Sequence, residues 1–398
     1  MQVTVNHPTI RLRGFESLLA HKMSRDIKLR TWVEIDTKAI AKNIARLKSF
    51  IAPKTKFLAV VKSNAYGHGI IAYAKESKKS GVDFFAVDSI EEALELRGAG
   101  IRESILVLGF VFPEQFKVAA EKNISVTISS LESLRTLFFL KAKKPLKIHV
   151  KIDTGLHRQG FQGSDVEKVF SGIKNAGKKV IVEGLYTHFA AMETPSYVEY
   201  SRGQIAELKK WQRAFILFGF NPIVHSSATS GIFFSKEFHF DMVRAGISLY
   251  GLWPSNEIKE VAPKTKLLPV LSWKSIVTEV KKVASGERVG YDLTEKLNRD
   301  SILAVVPLGY WHGIPRSLSS KGEFLVRGKR AKIIGRVSMD MVVIDVTDIA
   351  GVAQSDEVVV IGKQGKGEVS AEEFADKAGT INYEIVTRIN PLIPRIYR

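Results

Sequence analysis

The sequence predicts an α/β fold, a closed (β/α)8 barrel of the TIM type followed by a mostly β C-terminal domain. From Phe57 to Ile247 short β-branched runs alternate with amphipathic stretches, the rhythm of βα units around a parallel sheet. The runs number eight over about 200 residues, which favours closure into a barrel over an open doubly wound sheet. No G-x-G-x-x-G follows the first run, and beyond Gly251 the helical period almost disappears.

The expected barrel strands are 57–62, 83–87, 105–109, 124–128, 147–153, 180–188, 223–225 and 242–247. Helical patterns lie between them; in the one after 83–87, Ser89 followed by Glu92 reads as a capping box, and Gly98 and Gly100 end the helix. A strand at 32–36, followed by a helical pattern over 37–51, is surplus to the eight and pairs outside the barrel. Residues 253–268 read as a linker. Beyond it 270–283, 301–307, 323–327, 332–334, 341–346 and 357–361 read as strands between Gly-rich turns, and only 370–378 looks helical. The domains expected are an N-terminal extension over 1–30, the barrel over 31–262 and the β domain over 263–398.

Composition narrows the functional classes. A chain of 398 residues with 45% hydrophobic and 25% charged residues has material for full cores, so disorder and a staple-dependent mini-fold are excluded. The absence of cysteine removes disulfides, thiolate zinc sites and cysteine nucleophiles. A net charge of +18 raises nucleic-acid, membrane-surface or anionic-ligand binding. The basic residues are scattered, however, and the densest clusters, 141–147 and 327–332, are short, as expected of a solvated surface. No run approaches the ~18 apolar residues of a membrane span, and residues 1–30 lack the apolar core of a secretory signal; the chain reads as cytoplasmic.

One segment carries chemistry most plainly. In FLAVVKSNAYGHG, starting at Phe57, Lys62 ends a buried apolar strand and a loop with Tyr66, Gly67, His68 and Gly69 follows at once. Barrel enzymes build their sites at the C-terminal strand ends, where a neutral lysine amine can form a Schiff base. On position alone a surface lysine at a strand end is the commoner case.

VKSNAYGHG resembles the pyridoxal-phosphate lysine motif of bacterial alanine racemases, which belong to fold-type III. The likeness continues in order through KIDTGLHRQG, GLYTHFA, VRAGISLYG, VGYD, GYWHG, GRVSMD and INYE, spread from about Thr31 to the C-terminus. The resemblance implies a homodimer with shared active sites that interconverts L- and D-alanine at Cα of a pyridoxal 5'-phosphate external aldimine, supplying D-alanine for peptidoglycan. Lys62 would hold the cofactor and act as one base. Tyr291 of the other subunit would act as the second, from the opposite face. A phenol titrating near about 10 is a poor base alone; the resemblance places His188 to orient it and to link it to Arg244. Arg244 would face the pyridine nitrogen and, unable to give up a proton, leave it unprotonated, which weakens the ring as an electron sink and favours reprotonation over transamination.

Thr229, Gly246, Ile247, Tyr66 and Tyr383 match the family's phosphate anchors. Arg158 would lie near the substrate carboxylate beside Lys151, a position often carbamylated in the family, while Met339 and Tyr310 would close the substrate entrance from the partner. No metal is implied. Two departures stand out: Ala228 replaces the family's usual asparagine, and His312 stands where an acid is common and could shift entrance electrostatics or substrate preference. A broader-specificity amino-acid racemase is the alternative reading. The related decarboxylases use a partner cysteine, which this chain lacks; a cofactor carrier would not need the second domain.

Overall fold

The computed structural model describes residues 28–398. The first 27 residues of the expected N-terminal extension lie outside the described residues. Strands are numbered along the chain, beginning with β1 (Thr31–Ile35), which is paired outside the barrel as the sequence suggested.

The eight expected runs form a closed parallel barrel. Its strands are β2 (Lys56–Val60), β3 (Phe84–Val87), β4 (Ser104–Val107), β5 (Ile124–Ile128), β6 (Leu146–Lys151), β7 (Val180–Tyr186), β8 (Ile223–His225) and β9 (Met242–Ala245). Closure comes from β9 pairing with β2, with Leu58 opposite Arg244 and Ala59 opposite Ala245. Both faces of these strands are covered, so they read as continuous apolar runs. Leu58, Val60, Phe84, Ala86, Leu106 and Met242 form one buried cluster, each large side chain stabilising the fold by about 1.5–3 kcal/mol.

The helix Ile90–Gly98 begins as expected, with the Ser89 hydroxyl accepting the Glu92 N–H at 3.3 Å. The capping box is not reciprocal: the Glu92 carboxylate instead accepts the N–H groups of Asn64 and Asp88. The stretch expected to be a linker contains a helix, Asn256–Val261, capped by the Ser255 hydroxyl.

The chain forms two compact units that gather distant segments. One joins Asp36–Leu271 to Thr380–Ile389; the other takes the described residues 28–35, then Ser272–Gly379 and Asn390–Arg398. The INYE segment therefore belongs with the barrel, as the helix Asn382–Thr387. At six residues it is too short for a period to show.

The second unit is mostly β. Its main sheet runs β16 (Lys329–Lys332), β15 (Glu323–Val326), β18 (Glu357–Gln364), β10 (Leu271–Ile276), β1 and β20 (Arg395–Tyr397), with β19 (Gly367–Val369) paired to β18. A second sheet holds β11 (Glu279–Val283), β14 (Ser301–Val306) and β17 (Val342–Asp345), and β12 (Arg288–Val289) pairs with β13 (Glu295–Lys296). The run expected over 270–283 is thus two strands in different sheets, divided where the Thr278 hydroxyl bonds the Val305 carbonyl. The strand expected at 332–334 lies earlier, in the hairpin β15–β16. The expected helix is Ala371–Ala378, capped by Ser370 and ended by Gly379.

Candidate active site

Lys62 sits just past the end of β2. The next four residues, Ser63 to Tyr66, all have φ between 50° and 55°, a left-handed turn of non-glycine residues. Such backbone costs about 1–2 kcal/mol per residue and persists only where its surroundings over-determine it. Here they do. The Asn64 side chain accepts the Ile70 N–H at 2.9 Å, starting the helix Ile70–Lys78, while the Asn64 backbone N–H donates to Glu92 at 3.1 Å. At Gly67 φ is +83°, and a Cβ would stand 2.0 Å from the Val386 carbonyl oxygen. The helix Asn382–Thr387 is thereby packed directly on the lysine loop. The Lys62 Nζ lies 3.6 Å from Asp88 Oδ1.

Arg244, on the strand beside β2, is 3% exposed. Its guanidinium donates to His225 Nδ1 at 2.7 Å, to the carbonyls of Ser226 and Thr187 at 2.7 and 2.9 Å, and to His188 Nδ1 at 3.2 Å. None of these partners is a carboxylate, so the arginine is not a strand-end salt bridge. Burial pulls its pKa down to about 10, still charged at neutral pH. Burial first, then the Arg244 charge, holds His188 well below the usual imidazole range. With Nδ1 accepting, neutral His188 carries its proton on Nε2.

Thr229, Gly246 and Tyr66 meet at one point. The Thr229 hydroxyl oxygen accepts the Gly246 N–H at 2.8 Å. A Cβ on Gly246 would lie 3.1 Å from the Tyr66 hydroxyl and 3.6 Å from Thr229 Oγ1, so the glycine leaves a small cradle open beside two hydroxyls. Ile247 opens the turn that follows, Ile247–Tyr250. Thr229 begins the helix Thr229–Phe234, whose first turn has no side-chain cap because residue 228 is alanine; a helix start favours an anion. Tyr383 comes within 6.2 Å of Tyr66, ring to ring, and its hydroxyl donates to Glu193 at 3.3 Å.

Lys151 ends β6, buried, with its Nζ donating to Gln159 Oε1 at 3.0 Å. Burial, then the positive charges of Arg158 and Arg244, brings its pKa down to about 8. Arg158 itself is exposed on the following loop.

In the β unit the motifs VGYD, GYWHG and GRVSMD run together. The Tyr310 N–H donates to the Ser338 carbonyl at 3.0 Å and the Trp311 N–H to the Met339 carbonyl at 3.1 Å. Asp292, next to Tyr291, pairs with Arg336 at 2.7 Å. Tyr291 is 70% exposed, Met339 53% and Tyr310 44%. The three side chains therefore stand on adjoining segments, presented to solvent within this unit.

The family model described as the N-terminal domain of alanine racemase matches residues 35–254, and the C-terminal domain matches 270–397. The chain belongs to the alanine racemase family. It is 39% identical over 385 residues to an alanine racemase of Halothermothrix orenii, covering 94% of this chain and 99% of that one. It is 40% identical over 371 residues to one of Methanococcus maripaludis, covering 92% and 98%. Among solved structures, the Bacillus anthracis alanine racemase with bound L-Ala-P superposes with a TM-score of 0.88 at 35% identity, covering 94% and 96% of the two chains. The Streptomyces lavendulae alanine racemase gives 0.86 at 34%, covering 94% and 98%.

Within the alanine racemase family pattern, His312 turns inward. It is buried, its Nδ1 accepts the Gly309 N–H at 3.1 Å, and burial lowers its pKa. Sequence reasoning missed His225, His149, Glu183 and Asp88. The one available signal was a histidine within each of the apolar runs IHVK and IVH.

Proposed function

We infer that this chain interconverts L-alanine and D-alanine, using pyridoxal 5'-phosphate as cofactor and working as a homodimer. The observation that carries the reading is a lysine just past the end of β2 and, on the neighbouring strand, a buried guanidinium that has no carboxylate partner among the described residues. The residues suit the cofactor. Lys62 can hold its aldehyde carbon, Arg244 can donate to its ring nitrogen, and the cradle at Gly246 with Thr229, Ile247, Tyr66 and Tyr383 can take its phosphate.

When bound, the cofactor supplies a conjugated ring that spreads the negative charge developed at the substrate Cα. The chain's own residues manage the protons. The Lys62 amine takes or returns a proton on one face of Cα. Tyr291, from the partner subunit, serves the opposite face; its exposure on the β unit supports this assignment. His188, neutral and with Nδ1 occupied, has one N–H to give, which suits a phenolate oxygen. Arg244 holds its proton and so leaves the ring nitrogen unprotonated. Arg158 binds the substrate carboxylate, and Tyr310 and Met339 narrow the entrance. Lys151, buried with a lowered pKa, is suited to carbamylation, which would replace a cation beside Arg158 with an anion. D-alanine made in this way feeds peptidoglycan synthesis in the cytoplasm; no helix among the described residues is long and apolar enough to cross a membrane.

Borohydride reduction of the cofactor-loaded protein, followed by peptide mapping, should find the label on Lys62; another lysine would overturn the site. Chiral chromatography after incubation with L-alanine, L-serine and L-lysine should show D-alanine as the dominant product. Comparable D-serine or D-lysine would favour the broader racemase.

A further inference from the structure

The barrel core beneath Arg244 is polar, where a parallel barrel is ordinarily filled by branched apolar side chains. Arg244 Nη1 lies 2.7 Å from His225 Nδ1, His225 Nε2 lies 2.9 Å from His149 Nδ1, and His149 Nε2 lies 3.1 Å from Glu183 Oε2. Glu183 also accepts the Ser125 hydroxyl and pairs with the Lys147 ammonium at 3.0 Å. Both imidazoles are fully buried.

The direction of this file follows from donor accounting. A guanidinium has only donors, so His225 Nδ1 must accept and its proton must sit on Nε2. That N–H faces His149 Nδ1, which must accept in turn, leaving the His149 proton on Nε2, aimed at the carboxylate. A second proton on either ring would set two N–H groups against each other. All three bonds therefore donate one way, from Arg244 towards Glu183, with both histidines neutral.

The backbone is shaped for the file. Pairing of β6 with β7 slips between Ile148 and His149, which oppose Val182 and Gly184 respectively, so Glu183 sits in a bulge. Bulges re-aim side chains, and this one turns a carboxylate to the buried rings. At Gly184 a Cβ would stand 2.1 Å from His149 Nδ1, so only glycine leaves room for the imidazole.

We propose that His149 and Glu183 are positioning residues: through His225 they hold the orientation of the Arg244 guanidinium and give its buried charge a remote carboxylate. The proposal rests on the role assigned to Arg244 under the proposed function. Neither residue touches the reacting atoms. Losing the carboxylate removes the acceptor that holds the far end of the file, so that the two rings and the guanidinium can turn, and small misplacements at a reacting centre cost heavily in rate.

Two measurements test it. In the 15N-histidine-labelled protein at pH 7, long-range 1H–15N correlation should show His225 and His149 as neutral Nε2–H tautomers, with or without cofactor. A cationic ring or an Nδ1–H tautomer at either position overturns the proposal, and this arm needs neither a variant nor activity. In the cofactor-loaded Glu183→Gln protein, the visible absorption band should shift and kcat for alanine should fall about tenfold or more, with KM changed less than twofold. A folded Glu183→Gln protein with the wild-type band and kcat overturns the proposal. The wild type is assayed in parallel: if it does not racemise alanine, the functional reading fails, whereas an active wild type with an equally active variant fails this inference alone.

Discussion

Arg244 shows how one side chain can be bound to a chemistry. A buried guanidinium is expensive to desolvate and is ordinarily found against a carboxylate, yet here its bonds run to two imidazoles and two carbonyl oxygens. Such a group is set to donate and not to neutralise. Tyr291 and Lys151 are the residues whose assigned roles test the site most directly. Tyr291→Phe should lower kcat by about 10²–10⁴-fold, the range of a lost acid–base group, while the cofactor's visible band persists; full activity would remove Tyr291 as a base. Lys151, with its pKa brought down to about 8, has a substantial neutral fraction near that pH. Carbamate formation needs the neutral amine, so a 13C carbamate signal on Lys151 should grow as pH rises through about 8 in labelled bicarbonate. Its absence at pH 9 would assign the unmodified lysine, bonded to Gln159, as the working form.

At the scale of elements, the lysine loop is held by its neighbours. Four left-handed residues, the Asn64 cap and the carbonyl of Val386 against Gly67 all constrain the same turn. Gly67→Ala puts a Cβ into a left-handed position and onto a carbonyl oxygen, which should cost at least about 2 kcal/mol. Calorimetry should show a fall in Tm of several degrees, with weakened cofactor retention; an unchanged Tm would mean that the Asn382–Thr387 helix does not brace the loop. The β7 bulge gives a second prediction. Burial opposes ionisation of Glu183, but bonds from His149, Ser125 and Lys147 hold its carboxyl at about 2, against 4.5 for a free one. With the folded pKa depressed, the stabilisation is complete above the unfolded value and is lost as pH falls through the folded one. Denaturant titration should therefore separate wild type from Glu183→Gln clearly at pH 7 and progressively less towards pH 3.

At the scale of the whole molecule, the proposed dimer implies that each active site needs two chains. Mixing inactive Lys62→Ala and Tyr291→Phe subunits should restore measurable activity, since one of the two composite sites in a mixed dimer keeps both bases; no rescue after subunit exchange would remove the shared site. The +18 charge has no further role in this reading. In the proposed site Lys62, Arg158 and Arg244 would meet an anionic cofactor and substrate, and many other basic residues are tied up in surface ion pairs, such as Arg330 and Lys377 with Glu323 and Glu373.

The eight barrel strands were legible in the sequence because each is an apolar run buried on both faces, and burial writes itself into composition at every position. That Lys62, Tyr66, Thr229 and Arg244 lie at strand ends or in the loops beyond them was legible because their motifs are local. The helix at INYE was not, since six residues show no period. Nor was the route by which Tyr383 reaches the lysine loop, since only folding brings the Asn382–Thr387 helix back onto Gly67. The file from Arg244 to Glu183 lay furthest from view: its members come from β9, β8, β6 and β7, and the bulge that admits Glu183 is a property of strand pairing. A sequence records the preference of each residue for its own surroundings; which polar groups share one buried space is decided when distant strands meet, because only there must every donor find an acceptor.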